Sequence, residues 1–218
     1  MKDDSPAAAP DRVLRALVLA SLAIPLVVLP HWFLFPHVAP KVFLLRTLAT
    51  AGAALLAGSV LLGRKRLARP GLVAGSGVAF LASAALSTAF GVDPARGLWD
   101  GGERMLGLVT YGAMAAWFLD AVNSAREDVH WRSILRATLV ASTLVVLVGV
   151  AERAGFLPQT GDGRVASTLG HPSYVGALSL HLVFGGVLLR GMRASRTDDA
   201  HARRGFVAGI PFQLLTSA

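Results

Sequence analysis

Apolar residues dominate six stretches of this chain, at about Val13 to Pro30, Val42 to Gly63, Gly71 to Phe90, Met105 to Val122, Ile134 to Ala151 and Ser173 to Leu189. Short polar segments separate them. Each stretch approaches the roughly 20 residues that a helix needs to cross the hydrocarbon core of a bilayer. A seventh begins near Gly205 and reaches only Ala218, so a truncated last span is expected. The pattern predicts an all-α, polytopic transmembrane helical bundle of six complete spans and a truncated seventh. Residues 1–12, which open on an Ala/Pro-rich stretch, read as a disordered cytoplasmic N-terminus, and residues 13–218 as the transmembrane domain.

Composition agrees with the pattern. With 54% hydrophobic and 16% charged residues and a mean hydropathy of +0.57, a water-soluble domain is a poor fit. The net charge of +8 does not indicate nucleic-acid binding, because the basic residues sit in short clusters between apolar runs rather than along one polar face. They read as topology signals. The N-terminus does not read as a cleaved signal peptide, since Asp3, Asp4 and Asp11 dilute its basic region and no clear cleavage site follows. No cysteine is present, which excludes disulfides, a thiolate nucleophile and cysteine-based metal sites.

Lysine and arginine in short loops set orientation. A cytoplasmic N-terminus places Lys2, Arg12, Arg15, Arg64, Lys65, Arg66, Arg69, Arg126, Arg132, Arg136, Arg190, Arg193, Arg196, Arg203 and Arg204 inside, 15 of the 21 basic residues. Lys41, Arg46, Arg96, Arg104, Arg153 and Arg164, the remaining 6 of 21, then lie outside. Segments 31–41, 91–104 and 152–172 are predicted to face outward. The six outer cations stand against the positive-inside tendency, which singles them out.

Two local features add detail. Asp93 can cap a short helix whose first residue is Pro94, with Ala95, Leu98 and Trp99 on one face and Trp99 at headgroup depth. In the third span, Gly71 and Gly75 at GxxxG spacing, followed by Ala82, Ala85 and Ala89, predict close packing against a neighbouring helix.

The candidate chemistry lies in the outward segments. Lys41 reads first as a headgroup anchor, whereas Arg46, about a turn deeper, must snorkel or find a partner. Arg104 either binds phosphate or pairs with Asp100 across one helical turn. Arg164 stands in a polar segment with Gly161, Gly163 and Gly170 for tight turns, ahead of Pro172 at the first turn of the next span. His171, Tyr174 and His181 fall on one side of that helix. His181, in mid-membrane, is expected either to face a wet cavity or to be a satisfied packing histidine. No group has metal-ligand spacing and no nucleotide loop occurs, so no metal or cofactor is expected.

Three stretches, taken in order, resemble the O-antigen ligase and polymerase superfamily of bacterial membrane glycosyltransferases. They are Phe35-Pro36 leading to Pro40-Lys41 and Arg46; Ser87-Thr88-Ala89-Phe90-Gly91-Val92-Asp93-Pro94 with Leu98-Trp99 and Glu103-Arg104-Met105-Leu106-Gly107; and Gly163-Arg164 through Thr168-Leu169-Gly170-His171-Pro172-Ser173-Tyr174. The resemblance covers the N-terminal half of such proteins. It implies transfer of a glycan from an undecaprenyl-diphosphate carrier to a glycan, lipid or protein acceptor at the outer face of the bacterial cytoplasmic membrane. It implies a substrate-binding set of Arg164, Arg46, Arg104, Lys41 and His171, with Arg164 on the diphosphate. His171 stands where asparagine is more usual. The base of the family is expected beyond Ala218, which makes this chain an inactive part of a longer enzyme. The main alternative is a transporter or flippase for a lipid-linked or anionic solute, and a third reading is a non-catalytic structural subunit. No paired helix interruption supports the transporter.

Overall fold

The computed structural model describes residues 8–30, 35–68, 71–101, 105–158 and 164–197. Among them the chain is all-helical, with no strand. Seven α-helices follow one another: α1 Ala8–Ser21, α2 Ala39–Leu61, α3 Leu72–Ala89, α4 Pro94–Trp99, α5 Leu108–Ser124, α6 Asp128–Arg153 and α7 Pro172–Thr197. Short 3-10 turns stand at Ile24–Leu26 and Ser167–Leu169. Among the described residues four helices are long and apolar enough to cross a membrane: α2, α3, α6 and the Pro172–Met192 part of α7. The chain is thus a multi-pass membrane protein by length and composition.

The first expected span is interrupted. The helix starts at Ala8 rather than Val13 and ends at Ser21, well before Pro30. Pro25 is the cause: it has no N–H to give the Ser21 carbonyl, and its ring would clash there. The backbone instead forms the 3-10 turn and runs on extended at Val27. At 14 residues α1 is shorter than a full crossing, and α5, at 17 residues, is marginal. The seventh expected span lies outside the described residues.

The core forms where α1, α2 and α5 meet. Leu14 and Val18 of α1, Ala49 and Leu56 of α2, and Ala113 and Ala121 of α5 are all buried. Small residues let these backbones approach, which drives helix association in lipid where no hydrophobic force acts. Gly52 shows how close: a Cβ there would fall 2.2 Å from Oδ2 of Asp120. Helix α6 packs on α7 and continues this core through Ile134 beside Val18 and Ala121.

Helix α3 packs only peripherally. None of its residues is buried, and Val78, Phe80 and Leu86 are more than half exposed, as lipid-facing positions are. The expected tight seam does not form among the described residues: a Cβ on Gly75 would meet nothing within 4 Å, and Ala82 and Ala89 are exposed. Phe80 meets Tyr111 of α5 edge to face instead. A small-residue stripe permits close approach but does not supply the neighbour.

Contacts between the loops show that the chain shuttles between two ends of the bundle. At one end Lys65 pairs with Asp11 at 2.5 Å, the Asn123 side chain accepts the Ala68 N–H at 2.9 Å, and Arg126 donates to the Arg66 carbonyl. At the other, Thr168 donates to the Pro25 carbonyl at 2.8 Å, and α2 begins beside it. Successive helices therefore run antiparallel, and Lys41, Arg46, Arg96 and Arg164 share an end away from Arg64, Lys65, Arg66 and Arg126.

Candidate functional site

The Lys41 and Arg46 side chains leave α2 near its N-terminus, where Pro40 suits the first turn. They are five residues apart, roughly 7.5 Å along the axis and about 140° around it, so they reach different neighbours. Lys41 turns inward and donates to the His37 carbonyl at 2.8 Å and to the Thr168 carbonyl. It is therefore not the outward headgroup anchor its position suggested. It ties the α1–α2 connection to the segment before α7.

Arg46 finds its partner on α5. Its Nε donates to Thr110 Oγ1 at 3.1 Å and its Nη2 to the same oxygen at 2.6 Å, while Nη2 also reaches the Met105 carbonyl at 3.4 Å. The guanidinium lies 5.8 Å from the Trp99 ring centroid, within cation–π range. Thr110 is fully buried and donates to the Met105 carbonyl at 2.5 Å, which fixes the acceptor.

Trp99 is presented by the α4 segment the sequence foretold. Asp93 accepts the Arg96 N–H at 3.0 Å and Pro94 opens the helix. Past Trp99, the Asp100 carboxylate accepts from the Gly101 and Leu106 N–H groups at 2.7 and 2.8 Å. Gly107 has no room for a Cβ, which would sit 2.4 Å from the Leu98 carbonyl oxygen.

What Lys41 and Arg46 lack is a counter-charge. Among the described residues no carboxylate stands within ion-pair distance of either. Both are half-buried and solvated by neutral carbonyl and hydroxyl oxygens. Nη1 of Arg46 makes no hydrogen bond with a described residue, and Lys41, with three donors, uses two. A cation in the first turn of a helix also opposes the helix dipole, so the local field is doubly positive and favours an anion.

The third part of this site is the polar segment before α7. Arg164 is exposed and makes no hydrogen bond or ion pair with a described residue. Three residues on, Ser167 adopts φ +51° and is buried. Glu152, itself 2% exposed, holds it by accepting its N–H at 2.7 Å, and the Ser167 hydroxyl donates to the Val145 carbonyl at 2.6 Å. The other non-glycine residues at positive φ, Phe35, Asp100 and Met105, lie at the same end of the bundle. Strained backbone gathers where binding sites gather.

No protein-family model, curated protein or solved structure matches the chain. Assignment of the site therefore rests on its own geometry.

His171 occupies the N-cap of α7: Pro172 is the first helical residue, and Nδ1 of His171 accepts the Ser173 N–H at 3.2 Å. The ring is exposed and lies 5.4 Å from that of Tyr174. An asparagine oxygen can fill the same capping role. We expect His171→Asn to retain thermal stability and His171→Ala to cost about 1 kcal/mol, measured by thermal unfolding in detergent with tryptophan fluorescence. His181, expected to face a cavity or pack inside, is exposed on α7. Arg104 lies outside the described residues.

Sequence reasoning passed over Glu152, His37 and Thr110, and also Asp120, which is 2% exposed with Oδ1 unpartnered. Glu152 and Asp120 carried a signal, as acids at or inside apolar runs. His37 and Thr110 carried none, since their roles follow from which loops meet.

Proposed function

We propose that the chain forms the donor-binding part of a bacterial membrane glycosyltransferase of the O-antigen ligase and polymerase type. It would lie in the cytoplasmic membrane with six crossings, by α2, α3, α6 and α7 as full-length helices, by α5 at 17 residues, and by α1 together with the 3-10 turn and extended segment that follow it, with a further span following and the N-terminus inside. The end that carries Lys41, Arg46 and Arg164 would face outward. There these cations, with Arg104, bind the diphosphate of an undecaprenyl-linked glycan while an acceptor hydroxyl attacks the anomeric carbon. Preplaced cations in a poorly solvated cleft stabilise the departing diphosphate without reorganisation. The observation that carries this reading is the pair of half-buried cations, Lys41 and Arg46, which have no carboxylate partner among the described residues, on the same end as Arg164, which pairs with no described residue.

Two experiments test it. Single cysteines replacing Gly161 and Ser195 in this cysteine-free chain should react with an impermeant thiol reagent in intact cells at Gly161→Cys only. Labelling at Ser195→Cys with Gly161→Cys silent would invert the topology and remove the site from the donor. Glycan transfer by the intact protein should fall about tenfold or more in Arg164→Ala, with partial recovery in Arg164→Lys, which keeps the charge but not the planar fork. Wild-type transfer by both would remove Arg164 from the site.

A second reading, a transporter for an anionic or lipid-linked solute, is favoured by one observation. Asp120 and Arg15 each bury a polar atom without a partner in the α1–α2–α5 core, where transporters keep ionisable groups.

A further inference from the structure

The end of the bundle opposite Lys41 and Arg46 carries its own group of cations. Gly63, at φ +67°, turns the chain out of α2, and the Ser59 carbonyl accepts the Arg64 and Lys65 N–H groups at 2.9 and 3.1 Å. Burial then alternates. Arg64 and Arg66 are exposed, whereas the Lys65 side chain is 6% exposed and its charge is met by Asp11. Two contacts tie this connection to the one between α5 and α6: buried Asn123 accepts the Ala68 N–H, and exposed Arg126 donates to the Arg66 carbonyl. The second contact sets a further guanidinium beside the Arg66 backbone. Arg64, Arg66 and Arg126 have no carboxylate within ion-pair distance among the described residues. Glu127 and Asp128, the acids next to Arg126, stand instead at the N-terminus of α6, where they complement the helix dipole.

We propose that this end binds an anionic glycerophospholipid, with Arg64, Arg66 and Arg126 on its phosphate and Leu61, Leu62 and Leu67 against its acyl chains. The inference is independent of the donor reading, which concerns the opposite end. Apolar surface selects a lipid over a soluble anion. Leu61, Leu62 and Leu67 flank the arginines in sequence and are 87%, 68% and 56% exposed, and a soluble phosphate would leave them in water. Trp131, in the first turn of α6 and packed on the cluster of Val18, Ala121 and Ile134, marks the same end at headgroup depth. Charge selects an anionic headgroup over a zwitterionic one. A choline would bring another cation to the three arginines, whereas the phosphate of phosphatidylglycerol supplies the anion alone. Because Arg66 and Arg126 belong to different connections, one phosphate between them also holds the two together.

The test titrates the intact protein in detergent with phosphatidylglycerol or phosphatidylcholine and counts the lipids retained per protein by native mass spectrometry. Phosphatidylglycerol is expected to bind ahead of phosphatidylcholine, and each arginine replaced by glutamine should weaken its binding about fivefold. Arg64→Gln combined with Arg66→Gln is the primary variant, since neither side chain bonds a described residue and the fold is expected to survive. Arg126→Gln also loses its hold on the Arg66 carbonyl. Phosphatidylglycerol should therefore raise the melting temperature of the wild type and not that of Arg126→Gln. Arg153→Gln, at an exposed arginine on the far end of α6, should leave binding unchanged. Equal retention of the two lipids, or an equal loss in Arg153→Gln, would overturn the proposal, because attraction would then follow net charge rather than this group of arginines. Displacement of the lipid by glycerol 3-phosphate at matching concentration would overturn it as well, by showing that the acyl chains contribute nothing.

Discussion

Gly52→Ala is expected to remove most of the folded protein from the membrane. The new Cβ would sit 2.2 Å from Oδ2 and 2.7 Å from Cγ of Asp120, and Asp120 is 2% exposed. Overpacking typically costs about 1–3 kcal/mol. This site belongs at or above the top of that range, because the obstacle is a short, enclosed side chain at the α2–α5 interface. The partner change makes the prediction specific. Asp120→Ala alone removes a buried acid whose Oδ1 has no partner, so it should be neutral or stabilising. Combined with Gly52→Ala it should restore much of the lost abundance, read by detergent-solubilised thermal unfolding and by membrane yield. Failure of the double variant to recover would mean that Gly52 matters for a reason other than this contact. A well-folded Asp120→Ala protein that loses solute movement would strengthen the transporter reading.

Arg46→Ala is expected to lower glycan transfer by the intact protein about tenfold to a hundredfold at unchanged membrane abundance. A charge-assisted contact to phosphate contributes roughly 1.5–3 kcal/mol, and each 1.4 kcal/mol is tenfold in affinity. Arg46→Lys should recover little, because one ammonium cannot hold Thr110 and reach an anion through a planar fork at once. Thr110→Val keeps the charge but removes the oxygen that orients it, so an intermediate loss is expected. Transfer that survives Arg46→Ala while abundance falls would assign Arg46 to holding α2 against α5.

The element pattern was largely legible, because length and apolarity alone define membrane helices. So was the α4 cap, since Asp93-Pro94 specifies its own local geometry. Tertiary choices were less so. Pro25 stands within an apolar run, and averaging over the run hides the break it makes after Ser21. The glycines of α3 looked like a seam, yet no helix covers them among the described residues. Lys41 looked like a surface anchor because hydropathy cannot register two carbonyls arriving from His37 and Thr168, the latter 127 residues away in sequence.

The most direct measurement is equilibrium binding of undecaprenyl diphosphate to the purified intact protein in nanodiscs of neutral lipid, titrated at several salt concentrations. The proposed site predicts saturable binding that weakens as salt rises and falls about tenfold or more in both Arg46→Ala and Arg164→Ala, with uncharged undecaprenol binding far less. Equal binding of undecaprenol, or unchanged affinity in both arginine variants with folding intact, would contradict it.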